Sequence, residues 1–188
     1  MDRKTIYQTL DDRENPDQIE QEGPFLCTRN NAWLGNGYYF WDTFVDNAHW
    51  WGKVSLNDNY VICEANFDFH TDTCFDLVGK TEHMIDFERS INLMKSKKLL
   101  NRKTTVARVL SYMKNTLKLF NYNAIRVYGV HSKSKDLKPN YQLKFDLGKP
   151  QYLDYKPAIQ ICIYSFDNLN FGNYSIVYPD DYVSGYVV

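Results

Sequence analysis

A chain of 188 residues with 22 basic and 23 acidic side chains, net charge −1, has the size of one domain. That balance excludes the basic footprint of a general nucleic-acid or anionic-membrane binder, and no run approaches the roughly 20 apolar residues of a membrane span. Aromatic residues reach 16 %, so rings must carry much of the core and part of any binding surface.

The four cysteines, Cys27, Cys63, Cys74 and Cys162, form no CxxC unit and have no paired histidines, which argues against a metal site. Cys63 and Cys162 lie in the apolar runs VICEANF and IQICIY and read as reduced core residues. The polar start, MDRKTIYQTLDDRENPDQ, has no apolar leader core, so a cytoplasmic protein is expected. The sequon at Asn173 then carries no glycan.

No repeat or low-complexity segment interrupts the chain, and residues 1–188 read as a single domain. The first expected strand is KTIYQT, residues 4–9. The polar run DDRENPDQIEQEGP follows and ends in a Gly-Pro turn. After WLGNGYYFWD, Asp42 is placed to cap a short helix that stops at Gly52, with Phe44, Val45, Ala48 and Trp51 as its apolar stripe. NYVICEANFD, residues 59–68, is rich in β-formers. TEHMIDFERSINLMKS predicts a helix with Met84, Phe87, Ile91 and Met94 on one face, and TTVARVLSYMKNTLKLF predicts a second. From residue 124 the strands AIRVYGV, YQLKFDL, AIQICIY, YSIVYP and YVSGYVV are expected. Helices early, strands late and no βαβ alternation predict an α+β fold with mainly antiparallel sheet.

The stretch from Trp33 to Asp42, WLGNGYYFWD, holds the most information. Gly35 and Gly37 bracket Asn36 and permit positive φ and close backbone approach. If YYFW is extended, Tyr39 and Trp41 share one face, and Tyr38 and Phe40 the other. From the residues alone this is either a tight turn feeding an aromatic core strand or one wall of a cleft. Trp33, Trp41, Trp50 and Trp51 fall within nineteen positions, a concentration that favours an aromatic-walled cleft.

LGNGYYFWDTFVDNAHWWG resembles the second motif of the ADP-ribosyltransferase superfamily, seen in poly(ADP-ribose) polymerases and diphtheria-type toxins. Gly35, Gly37, Tyr39, Phe40, Ala48 and Trp50 or Trp51 fill that motif's positions. IYQTL stands where the family's first motif falls, with Gln8 in place of His or Arg and Thr9 after it. AIQICIYS stands where the third falls, with Gln160 in place of Glu. The resemblance implies a split antiparallel β-sandwich with flanking helices, and NAD as substrate with no metal. Gln8, Tyr39 and Gln160 would form the catalytic set. Gln8 would hold a ribose, with Thr9 beside it. Gly35 and Gly37 would admit the carboxamide, and Tyr39 would stack on nicotinamide with Trp41 on the same face. Arg29 would reach the pyrophosphate, against the alternative of a solvated loop arginine.

The resemblance also implies a protein or nucleic-acid acceptor, toxin-like biology with an inhibitory partner protein, and transfer of single ADP-ribose units. A neutral Gln160 predicts slow chemistry or none, because one well-aimed electrostatic group contributes roughly 3–4 kcal/mol. Asp154 or Asp167 is the fallback carboxylate. The competing expectation is a non-catalytic module on the same fold that recognises NAD, ADP-ribose or a protein. A third is an unrelated aromatic-rich domain for protein contact.

Three further features have plain readings. His70 and Asp72 in FDFHTDTCFD read as a polar loop rather than a metal pair. Glu64 reads as a solvent-facing strand residue. Lys133, Lys135 and Lys138 in HSKSKDLKPN form a hairpin tip or a target-facing loop.

Overall fold

The computed structural model describes residues 2–129 and 141–183. The lysine loop 131–140 and residues 184–188 lie outside the described residues. The fold is mixed α+β, built on a large mixed sheet, with five α-helices among the described residues.

The first strand, β1 (Asp2–Asp11), alternates exposed and buried residues, with Ile6 and Gln8 inside. It pairs along its whole length with β3 (Tyr60–Phe69), from Asp2↔Phe69 to Asp11↔Tyr60. Its other neighbour is β2 (Tyr38–Asp42). Beyond these lie β4 (Cys74–Asp76), β5 (Ala124–Tyr128), a small separate hairpin of β6 (Gln142–Lys144) and β7 (Tyr152–Asp154), then β8 (Ile159–Ile163) and β9 (Gly172–Tyr178). The sheet order is β4-β5-β8-β2-β1-β3-β9, and every pair is antiparallel except β4 with β5.

Seven strands therefore form one continuous hydrogen-bonded sheet, with β6 and β7 paired apart from it. Its weakest seam is between β1 and β2, where only Ile6↔Asp42 and Tyr7↔Trp41 pair. Continuing that register would set Gln8 against Phe40 and Thr9 against Tyr39. Instead the strands part, and the segment after α1 (Pro16–Glu22) enters the gap.

The helices differ from expectation in their details. Asp42 caps nothing: it ends β2, is 2 % exposed, and binds Arg126 at 2.7 Å and the Thr43 hydroxyl at 2.8 Å. Helix α2 (Val45–Ser55) begins after Phe44 and runs through Gly52. Glycine suits that position because the Tyr60 ring fills the space of a side chain. Helix α3 (Thr81–Ser96) has the expected bounds and packs Phe87, Ile91 and Met94 of the expected face on the core, joined by buried His83 and Ser90, while Met84 is exposed. The next helix is two pieces, α4 (Val106–Ser111) and a π-helical stretch Tyr112–Leu117, closed by Lys118 at φ 56°. Phe120 joins the core from beyond that helix. The last expected strand starts instead as a short helix, α5 (Asp180–Val183).

The polar run after β1, given no element from sequence, holds α1, whose Ile19 is 2 % exposed. The described part of the chain has no helix long and apolar enough to cross a membrane.

Candidate functional site

The parting of β1 from β2 opens a cleft of ≈ 480 Å³. Six of the eight residues expected to form the site line it: Gln8, Thr9, Arg29, Tyr39, Trp41 and Gln160. They come from β1, the loop before β2, β2 itself and β8, so distant parts of the chain meet there. Trp41 and Gln160 are direct partners across β2 and β8, and Tyr39 pairs with Cys162 one step along the same face. Facing side chains in such pairs sit roughly 5 Å apart at Cβ. The alternation expected of YYFW is observed. Tyr38 and Phe40 pack with Ile161 and Ile163, whereas Tyr39 and Trp41 belong to the opposite face.

Gln8 commits its amide to the frame of the cleft. It is 4 % exposed, and strand alternation turns it to the face of Ile6, away from Tyr7 and Thr9. Its Nε2 donates to the Phe25 carbonyl at 3.0 Å and its Oε1 accepts from the Phe25 N–H at 3.1 Å. The same Oε1 accepts from the Tyr174 hydroxyl at 2.8 Å. The side chain thus takes the place of the missing strand partner and ties the cleft wall to β1. The ribose-holding role that the resemblance implies for Gln8 would compete with these bonds. Thr9 lines the cleft, but its hydroxyl donates to the Ala48 carbonyl at 3.1 Å and so anchors α2.

The glycine pair also serves the frame. Gly35 has φ +89°, a conformation that disfavours a side chain. The Tyr39 hydroxyl donates to the Gly35 carbonyl at 2.7 Å and accepts from the Leu34 N–H at 2.9 Å, pinning the turn. Gly37 is buried against Cys162 and the Ile163 carbonyl, which leave no room for a side chain. Neither glycine lines the cleft. Burial raises the Tyr39 phenol well above its ordinary value, so it stays protonated at neutral pH. Burial likewise pushes the Cys162 thiol up to about 12.

Gln160 is the contrasting group. Its Oε1 is buried and has no hydrogen-bond partner among the described residues. The fallback acids are elsewhere: Asp154 accepts from the Tyr128 hydroxyl, and Asp167 is held by Ser165 and Asn123 in a turn. Among the described residues the one acid lining the cleft is Asp11, paired with Arg13 at 3.3 Å. Arg29 is exposed at the rim, with no ion pair among the described residues.

Sequence reasoning missed the outer wall, contributed by Asn15, Ile19, Phe25 and Leu26. The available signal was Ile19, the sole large apolar residue in a run of charges. Of the four clustered tryptophans, Trp33, Trp41 and Trp51 line the cleft, and Trp51 of α2 closes the aromatic side by meeting Trp41 at 6.2 Å and Trp33 at 6.1 Å. His70 and Asp72 share only a local contact of 3.2 Å, and no group of metal-binding side chains occurs among the described residues. Glu64 supports the Tyr7 phenol, which burial and then that carboxylate push up to about 12.

No protein-family model, curated protein or solved structure matches this chain.

Proposed function

We propose that the chain is an ADP-ribosyltransferase-like domain that binds NAD in the β1–β2 cleft. It would transfer single ADP-ribose units, slowly, to a protein or nucleic-acid acceptor. One observation carries the reading: residues picked out by resemblance on β1, β2 and β8 line a single aromatic-walled cleft. A cationic nicotinamide ring suits the Tyr39 and Trp41 side, since aromatic faces attract cations. Arg29 at the rim suits a diphosphate.

In such a transfer the bond between ribose and nicotinamide breaks and nicotinamide leaves with the electron pair. The acceptor then bonds to the ribose carbon and gives up a proton. Gln160 can accept a hydrogen bond from an acceptor hydroxyl but cannot remove its proton or balance the positive ribose. The missing carboxylate corresponds to a rate roughly 10²–10³ lower.

The second reading, NAD binding without turnover, is favoured by the same neutral Gln160 and by a Gln8 committed to the frame. Nicotinamide release by the purified protein, beside Gln160→Glu, separates the two. Slow release from the wild type supports the transferase. Release only in Gln160→Glu supports the binding module. Neither release nor NAD binding would sink both.

A further inference from the structure

Trp33 is the most exposed ring of the cleft wall, at 45 %. An exposed indole is normally mobile, but this one is mounted on a fixed backbone. The next residue, Leu34, donates its N–H to the Tyr39 hydroxyl at 2.9 Å, and its carbonyl accepts from the Tyr164 hydroxyl at 2.8 Å. Two turn hydrogen bonds, from Ala32 N–H to Arg29 carbonyl and from Gly35 N–H to Ala32 carbonyl, hold the loop on either side. The ring meets Trp51 at 90°, so the two do not stack face to face. A planar guest can lie against Trp33 without displacing a stacked partner. Arg29 stands on the same loop, and Asn15 and Arg13, the latter paired with Asp11, also line the cleft. The outer half of the cleft therefore combines an aromatic platform with guanidinium groups.

Resting on the NAD reading, we propose that Trp33 is the platform for the adenine base of the dinucleotide. The outer half of the cleft thereby selects adenosine diphosphate compounds. A neutral purine stacks on an exposed aromatic face without needing a hydrogen-bond pattern. The cationic nicotinamide belongs at the inner end, against Tyr39 and Trp41.

The test is calorimetric titration of the full chain with NAD, ADP and nicotinamide mononucleotide, using wild type, Trp33→Ala and Trp33→Phe. Thermal melting checks that the variants fold, which the exposure of Trp33 favours. The expected result is a roughly tenfold loss of NAD and ADP affinity in Trp33→Ala, as loss of one stacked base predicts. Trp33→Phe should stay within a few-fold of wild type, and nicotinamide mononucleotide affinity should not change. Unchanged NAD and ADP affinity in Trp33→Ala overturns the platform while leaving the NAD reading standing. An equal loss for nicotinamide mononucleotide also overturns it, because the ring then serves the other end or the cleft as a whole. A wild type that binds none of the three overturns the NAD reading and the platform with it.

Discussion

Two glutamines flank the cleft in opposite circumstances. Gln8 on β1 spends its amide on the Phe25 backbone and the Tyr174 hydroxyl, and is nearly sealed from water. Gln160 on β8 is part-exposed and leaves its Oε1 without a partner among the described residues. The same side chain is a structural tie at one position and an uncommitted polar group at the other. Stability at the cleft should therefore depend on Gln8, and ligand chemistry on Gln160.

The largest effect that would sharpen this contrast is loss of the tie. Gln8→Ala strands the Phe25 N–H, the Phe25 carbonyl and the Tyr174 hydroxyl, and should destabilise the fold by about 3 kcal/mol in urea unfolding. Gln8→His should cost about 2 kcal/mol, because an imidazole cannot donate and accept toward one peptide unit as an amide does. A neutral Gln8→Ala would break the comparison. Next is Gly37→Ala, which forces a methyl against Cys162 and the Ile163 carbonyl and should cost about 2 kcal/mol. Gly35→Ala meets no neighbour, and its cost, about 1 kcal/mol, comes from φ alone. Gln160→Ala should be the mildest of these changes, about 0.5 kcal/mol, since no hydrogen bond of its Oε1 is lost.

A smaller, pH-dependent effect lies away from the cleft and supplies a control. His83 accepts the Asp76 N–H at its Nδ1 and meets the Tyr122 hydroxyl at its Nε2. Burial, above all, lowers its pKa from 6.5. The unfolded chain therefore takes up a proton that the folded chain resists. The contribution is present in full above pH 6.5 and is lost as pH falls below it. The melting temperature should fall on going from neutral to mildly acidic pH, and His83→Gln should flatten that slope. His49, whose pKa burial also lowers, should retain the remainder. An unchanged slope in His83→Gln would show that the histidine is already solvated.

The middle of the fold was legible because alternation and helical spacing act locally. The bounds of α3 and the face-sharing of Tyr39 with Trp41 follow from periodicity alone. What escaped depended on tertiary partners. Asp42 looks like a helix cap until Arg126, far along the chain, takes its carboxylate. Gly52 looks like a helix stop until the Tyr60 ring explains its lack of a side chain. Gln8 looks like a ligand group because only the folded chain brings Phe25 beside it. The cleft floor was legible at Tyr39, Trp41 and Gln160. The wall from α1 was not, because a short charged helix with one buried isoleucine leaves almost no pattern.

The central claim, that the β1–β2 cleft holds NAD, is tested most directly by calorimetric titration of NAD into the wild type and into Gln160→Trp, which fills the cleft floor. The account predicts saturable one-site binding to the wild type and its loss in a Gln160→Trp variant that still melts cooperatively. Binding that survives in the folded Gln160→Trp variant, or no binding to the wild type, would contradict it.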